Sequence, residues 1–488
     1  AKEIGIRKTM GSSRAQLVAQ FMGETIFITL IATAFSIVLT PLLLGVFKDF
    51  TPPGLAFNVL QQPSMIVFLL LLVLAVSLLA GFYPALVLSR YKPVSVLKNQ
   101  VFTGGAQTRS AWVRKTLTVS QFVIAQFFII ATLMVSKQIN YAIHSDLGFN
   151  KEAILSFELP RDTVKTNAPR LLKKIQSLPG VAMASTGFLS PADEGAAYGN
   201  IMFDNGKELV KPAVEVQLRW GNPDYIKLYG LSLVAGRNVL PSDTIKEFLV
   251  NERLAHALGF QQPSDMLGYQ LQWNDKKAPV VGILKDFHDQ SMKTAIGAMV
   301  FGGSNGSIMH VKLHPNNNAA VQWKTTIAQL QASFHSIYPE GEFDYHFMDE
   351  RVANFYTAER HTASLLAWAT GLTVLVSCLG LLGLVIYTDQ LRTKEIGIRK
   401  ILGASVAGII SLLSKDFVRL VLLAFIIAAP LAWWACYAWL QDYVYRTSMS
   451  WWVFALSGGS MLALAVLTLA LQTIRTATAN PVTSLRTE

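Results

Sequence analysis

The stretch MIVFLLLLVLAVSLLAGFYPALVL, residues 65–88, contains no charged side chain. A helix rises 1.5 Å per residue, so roughly 20 apolar residues cross the hydrocarbon core of a bilayer. Residues 65–88 are long enough for one crossing. Their apolarity surrounds the helix instead of following one stripe, which suits lipid and not a soluble core. Five similar blocks lie outward along the chain: 21–47, interrupted only by Glu24; 117–136; 363–387; 417–440, with Arg419 near its start; and 451–472. The 488-residue chain is 52% hydrophobic and only 15% charged, against about 25% charged in soluble proteins. The sequence predicts six membrane spans.

The net charge of +11 is a matter of topology. With the N-terminus inside, segments 1–16, 90–115, 389–416 and 475–488 hold basic residues such as Arg7, Lys8, Arg114, Lys115, Arg399 and Lys400. The two short outside loops offer only Lys48 and Arg446. The positive-inside rule fixes this orientation, and the placement argues against nucleic-acid binding. Tyr443, Tyr445, Trp451 and Trp452 read as an interfacial aromatic belt. The only cysteines, Cys378 and Cys436, fall inside predicted spans and read as small apolar residues, not a disulfide framework. The first apolar block is too long for a cleavable signal peptide.

The chain carries an internal repeat. Residues 2–8 read KEIGIRK and residues 394–400 read KEIGIRK again; TMGSS then answers ILGAS, placing Gly11 opposite Gly403 and Ser13 opposite Ser405. Each copy is followed by a span, a short loop, a second span and a basic tail, PVSVLK at 93–98 and PVTSLR at 481–486. Two copies of one module are implied. The second copy is preceded by span, domain and span; the first is not. The chain is therefore expected to be the C-terminal part of a longer protein.

Between the third and fourth spans, residues 138–362 have ordinary soluble composition. Helical spacing marks 168–178 and 319–338, and strand-like runs mark 153–159, 214–219, 279–284 and 308–313. The interleaving predicts a mixed α/β domain, with two lobes as one arrangement and loops or lobe junctions at 190–206 and 302–306. His288, in the run KDFHD, and the pair His310 and His314 are conceivable metal or acid–base residues, but no third ligand accompanies them and a structural role is favoured. Ser190 and Asp193 share a loop with no histidine partner implied. Neither HExxH nor CxxC occurs, and no enzyme activity or metal is assigned.

In the repeated element Glu395 precedes Arg399 by four residues, the favourable order for an ion pair on a helix. Beyond it Leu402, Val406, Ile409, Ile410 and Leu413 recur at helical spacing, so an amphipathic helix on the inner membrane surface is expected. Gly397 and Gly403 would permit close backbone approach. A plain membrane anchor needs only charge and amphipathicity. Repetition of particular residues favours a docking element for a cytoplasmic protein.

These motifs, KEIGIRK with the following glycine and the 480–486 ending NPVTSLR, resemble the FtsX/MacB-like permeases of ABC transporters, in their duplicated Bacteroidetes-type form. LGFNKE at 147–152, AGR at 235–237, VNE at 250–252 and GILKDFH at 282–288 are similar to that family's periplasmic domain. The resemblance implies an α-helical polytopic membrane protein of about six spans, with one mixed α/β periplasmic MacB-like domain between the third and fourth. A full-length relative would have eight spans and two such domains, so the first span, first domain and second span are expected to be missing here.

The implied division is a coupling segment 1–16, two spans in 17–90, a cytoplasmic linker 91–115, a span 116–137, the periplasmic domain 138–362, and a span 363–388. A second coupling segment 389–416, two spans in 417–475 and a tail 476–488 follow. The implied partner is a cytoplasmic ABC ATPase, in two copies, docking on Glu3, Gly5, Arg7, Lys8 and Gly11 and on Glu395, Gly397, Arg399, Lys400 and Gly403. Membrane lipid and a periplasmic adaptor or substrate protein complete the implied partners. ATP acts only through the ATPase, since the chain has no GxxxxGK phosphate loop. Glu24, Asp416 and Arg419 lie near the inner ends of the spans and the midplane is apolar, which fits relayed motion better than an aqueous path. The implied setting is the bacterial inner membrane with both termini cytoplasmic. A membrane-anchored sensor is the alternative, although no inside segment is large enough for a signalling domain. A secondary transporter would need broken helices and midplane charges.

Overall fold

A computed structural model describes residues 10–51, 62–89, 106–161, 166–193, 197–274, 276–314, 319–401 and 406–478. The chain divides into two compact units, Ala1–Val119 and Ser120–Glu488. Among the described residues, six helices are long and apolar enough to cross a membrane: Arg14–Val46, Pro63–Phe82, Trp112–His144, Thr357–Thr388, Ser414–Leu440 and Trp451–Gln472. Each contains one of the six blocks read from sequence or most of it.

In the first unit, α1 (Arg14–Val46) opens on a capping box. The Ser13 hydroxyl accepts from the Gln16 amide at 3.2 Å, and the Ser13 amide donates to Gln16 Oε1 at 2.8 Å. Gly11, at φ +97°, turns the chain into it. Helix α2 (Pro63–Ser89) packs on α1 through small and hydroxylated residues. Ser77 Oγ donates to Thr29 Oγ1 at 3.2 Å, and a Cβ on Gly81 would lie 2.8 Å from Thr25 Oγ1. Thr25, Thr29 and Thr33 each spend their own hydrogen on the carbonyl four residues back, at 2.8 Å, so none of these three hydroxyl protons is left bare among apolar side chains. A third helix, α3 (Ala106–His144), starts in this unit and continues into the second.

The second unit holds the α/β domain and three more long helices. In chain order its elements are β1 (Ile154–Glu158), α4 (Asn167–Gln176), β2 (Val181–Gly187), β3 (Ala197–Tyr198), β4 (Ile201–Asp204), β5 (Leu209–Val210), β6 (Val216–Gly221), α5 (Pro223–Leu228), β7 (Leu233–Gly236), β8 (Phe248–Asn251), α6 (Glu252–Ala257), β9 (Gln270–Trp273) and β10 (Lys276–Leu284). Then come β11 (Ala298–Gly303), β12 (Ile308–Leu313), α7 (Ala319–His335), β13 (Tyr345–Phe347), α8 (Met348–Asn354), α9 (Thr357–Ile401), α10 (Val406–Leu440) and α11 (Trp451–Thr478).

The strands form one mixed sheet in the order β13-β1-β12-β2-β6-β11-β8-β10-β9-β4-β5, with β3 on β6 and β7 on β10. The sheet has two lobes. Strands β13, β1, β12 and β2 are antiparallel, and α4 and α7 cover one face. There Leu171 and Ile175, four apart on α4, meet Phe157, Val311, Leu330 and Phe334 in a closed apolar cluster. Gly180 allows this approach, since a Cβ there would sit 2.1 Å from Thr326 Oγ1 on α7. In the other lobe β11 is wholly buried, parallel to β6 and antiparallel to β8. Its core includes Phe203, Leu218, Phe248, Val250, Leu271 and Ile283. Strands β2 and β6 pair at Gly187–Gly221 alone, a waist in the sheet.

The α/β and two-lobe expectations hold, with changes at the edges. Two stretches read as loops contain strand: 190–206 includes β3 and β4, and β11 runs to Gly303. Alternation in so short a run as Ile201–Asp204, buried at every second residue, is weak against the surrounding Gly and Asn. A larger correction concerns the separate surface helix expected after KEIGIRK. Residues 394–401 instead prolong the span helix α9 without a break, and 406–413 form the first turns of α10. Nothing between Asp389 and Ile401 stops a helix except Gly397, which costs only about 1 kcal/mol relative to Ala.

Candidate functional site

The domain meets its membrane helices around the loop 285–293, which follows β10. The loop is held from three sides. Asn251, at the end of β8 and fully buried, donates from Nδ2 to Asp286 Oδ1 (2.9 Å) and to the Gly297 carbonyl (2.8 Å). Its Oδ1 accepts from the amides of Leu254 (3.1 Å) and Met299 (2.9 Å). The Asp286 amide donates to Glu252 at 3.1 Å, and Asp286 accepts from the Arg253 amide at 3.0 Å. Burial raises the Asp286 carboxyl above its ordinary range, an effect the Arg253 amide opposes. From the other side, the His288 amide donates to Leu147 O at 2.8 Å. Phe149 meets Phe287 edge to face at 6.2 Å, and Gly148, at φ +84°, leaves no room for a Cβ against Phe287. LGFNKE, VNE and GILKDFH, distant in sequence, thus converge on one loop.

The loop's far end grips the turn between α10 and α11. The Tyr445 amide donates to Met292 O at 3.1 Å, and the Tyr445 ring stands perpendicular to His288 at 4.3 Å. Burial lowers His288 below the usual imidazole value, opposed by Asp289 and Asp146. The same turn is held by the last turns of α3. Gln138, fully buried, donates from Nε2 to Tyr445 O at 3.2 Å and accepts from the Thr447 amide at 2.8 Å. Lys137 Nζ donates to Ser448 O at 2.8 Å and to the Ser450 hydroxyl. A side-chain amide that satisfies both a carbonyl and an N–H of the turn stands in for a strand neighbour.

The start of α9 completes the junction. The Met292 amide donates to Tyr356 Oη at 3.1 Å. Lys293 pairs with Glu359, and its ammonium lies 5.3 Å from the centre of the Tyr443 ring. Ala142 of α3, Tyr356 and Tyr443 all belong to the core cluster that also takes in Tyr225, Tyr229, Met348 and Val352. Three long helices, α3, α9 and α10, therefore end inside one packed junction.

The aromatic-belt reading is half corrected by this geometry. Trp451 and Trp452 are 80% and 42% exposed, as a belt would be, but Tyr443 is 2% exposed inside the domain core. The burial of Tyr443 also holds its hydroxyl above the ordinary tyrosine value. Of the expected docking residues, Glu395, Gly397, Arg399 and Lys400 share the last turns of α9, and Gly11 stands in the turn before α1. Glu3, Gly5, Arg7, Lys8 and Gly403 lie outside the described residues.

His310 is structural. It is fully buried, its Nδ1 shares a 2.8 Å hydrogen bond with Tyr229 Oη, and burial pushes it down to about 3. Ser190 and Asp193 do have partners, but these are arginines. GGSNG at 302–306 matches the spacing GxSxG. Ser304 closes β11 and bonds the Asp243 carbonyl at 3.1 Å, without the strand-to-helix elbow a nucleophile needs. Gln138, Tyr445 and Thr447 were not singled out as site residues. The one sequence signal for Gln138 was a polar residue placed just after Lys137 at the outer end of a span.

The fold defines a multi-pass membrane protein that carries a mixed α/β domain between its third and fourth described spans. Residues 1–93 and 368–481 match the FtsX-like permease C-terminal family model. Among solved structures, the periplasmic region of MacB from Actinobacillus actinomycetemcomitans is similar over 44% of this chain and 98% of its own, with 14% identity and a TM-score of 0.31. The extracellular domain of the ABC-type transporter YknZ from Gram-positive bacteria covers 40% of this chain and 97% of its own, with 14% identity and a TM-score of 0.27. No curated protein matches.

Proposed function

We propose that the chain is the permease subunit of an ABC transporter, in which a separate ATPase moves the membrane helices and the junction passes that motion to the α/β domain. The observation that carries this reading is the family match of both membrane segments, each including one copy of KEIGIRK. The continuity of α9 from the junction at Tyr356 to Arg399 supports it. A helix of 45 residues is about 68 Å long at 1.5 Å per residue, enough to reach both sides of a bilayer. In this reading 389–416 and 1–16 are cytoplasmic, and Glu3, Gly5, Arg7, Lys8, Gly11, Glu395, Gly397, Arg399, Lys400 and Gly403 form two contacts for two ATPase copies. The α/β domain is then periplasmic in a bacterial inner membrane, facing an adaptor or substrate protein, and ATP acts only through the partner.

The test is co-purification of the tagged chain with the cognate ATPase. Reversing Arg399 to Glu should cut recovery of the ATPase several-fold, and reversing Arg7 and Arg399 together should abolish it. Full recovery of the ATPase by the double variant would remove the docking role.

A further inference from the structure

Beside the sheet waist, four acidic and basic side chains from four elements lie close together. They are Asp193 in the loop after β2, Arg219 on β6, Asp289 in the loop 285–293, and Arg351 on α8. Arg219, Asp289 and Asp193 are 2%, 3% and 8% exposed. Arg351 pairs with Asp193. The Asp193 carboxylate also accepts from the Ser190 hydroxyl and amide, both at 2.6 Å. Arg219 Nη1 donates to the Ser190 carbonyl. Asp193 therefore has one guanidinium bonded to it and a second bonded to its own loop.

The set is charge-balanced but unevenly paired. Arg219 Nη2 stands 3.6 Å from Asp289 Oδ2, an ion pair without a hydrogen bond. Burying charges is costly, and a buried pair is frequently no more stable than the apolar side chains that could replace it. Such a set is better explained by a choice between partners than by stability. Its members are placed for one. Arg351 lies on α8, which leads through Tyr356 into span α9, and Asp289 lies in the loop that grips the α10–α11 turn through Met292.

We propose that the cluster is a two-position lock in which Asp193 exchanges Arg351 for Arg219 when α8 and α9 move. In the present position Arg351 holds Asp193 and Arg219 leans on Asp289. In the other, α8 withdraws Arg351 and Arg219 swings to the carboxylate of the loop it already touches at Ser190. Asp193 keeps a cation in both positions, and the partner that Arg219 gives up is Asp289, which it meets without a hydrogen bond. The use of this lock in coupling rests on the permease reading; its existence does not.

The test therefore needs no ATPase. The parent is the full chain in lipid nanodiscs carrying Asp289→Asn, so that loss of Arg219 strands no second carboxylate. Thermal melting and hydrogen exchange of the 188–193 segment are followed for Arg351→Met, Arg219→Met and both together. If either arginine can serve Asp193, each single variant melts within ~4 °C of the parent and keeps 188–193 protected, whereas the double variant falls by ~10 °C or more and loses protection about a hundredfold. Adding Asp193→Asn to the double variant should then restore most of both, because the stranded charge is gone. The lock is overturned if Arg351→Met alone exposes 188–193 as fully as the double variant, if the two single effects merely add, or if the double variant is as stable as the parent.

Discussion

Helices α1 and α2 follow one copy of KEIGIRK as α10 and α11 follow the other, yet the pairs are fastened at different places. The first pair is joined along its length by hydroxyls and a glycine: Ser77 on Thr29, Gly81 against Thr25. The contacts described for its outer turn are local, a single 3-10 turn at Lys48–Phe50 with Phe47 and Phe50 edge to face at 5.8 Å. The second pair borrows its polar fastening from α3. Gln126 donates to Val421 O at 3.3 Å on α10, and Ser457 of α11 donates to Gln126 O at 3.3 Å. Its outer turn is bonded to α3 and to the domain through Gln138 and Met292. Among the described residues the two helix pairs are thus fastened by different side chains.

Removing the staple of the second pair should make its outer end behave like the first. Gln138→Leu strips a half-buried carbonyl and a half-buried amide of their partners, which costs about 2 kcal/mol. The Thr447 amide should exchange faster while the sheet strands keep their protection. Unchanged exchange at Thr447 would show that Met292 and Lys137 hold the turn without Gln138, and the comparison would lose its main support.

Acidity should separate the units next. His310 titrates at about 3 in the fold because it is buried, against roughly 6.5 in an unfolded chain. Between these values the unfolded state binds a proton that the folded state refuses, so stability falls as pH drops below about 6.5. At pH 5 the loss is ~2 kcal/mol, confined to the domain of the second unit. Melting of His310→Gln should lose most of this slope. The groups facing His310 include the Tyr229 hydroxyl and the charges of Asp193 and Arg351. A slope that survives the substitution would assign the proton to His288, which burial also lowers.

How much of this was readable beforehand follows from range. The spans depend on hydropathy summed over about 20 residues, and all six were legible. So were α4 and β12, where period and burial agree: Leu171 with Ile175 on one face, and the run Ile308–Leu313. The junction was not. Gln138 reads as an ordinary polar residue at a span end until a turn some 300 residues away supplies its partners. Tyr443 fits an interfacial belt by position, and only the packing of Tyr356 and Lys293 around it shows otherwise. The ion cluster was half visible, as Ser190 and Asp193 in one loop. Its arginines come from β6 and α8, which no local pattern connects to that loop.

Within the first pair, Gly81→Ala should be felt but tolerated. The added Cβ would meet Thr25 Oγ1 at 2.8 Å, the end of a side chain that can turn, so a shift of a few tenths of an ångström and about 1 kcal/mol are expected. Domain exchange should stay at its parent rate. Slower or faster exchange in the sheet would mean that the first pair also communicates with the domain.

The smallest effect belongs to Ser77→Ala. Thr29 keeps its own donated bond to the Thr25 carbonyl, so deleting the Ser77 hydroxyl leaves only an acceptor lone pair unmet, not a donor. Hydrogen bonds between helices within membranes average about 0.6 kcal/mol in double-mutant cycles, and a Ser77–Thr29 cycle on the full chain should fall near that value. Thr29→Val should cost more than Ser77→Ala, because it leaves the Ser77 proton without its acceptor in apolar surroundings. Equal costs would show that the 3.2 Å contact is packing alone, and that the first pair is fastened by Gly81 rather than by its hydroxyls.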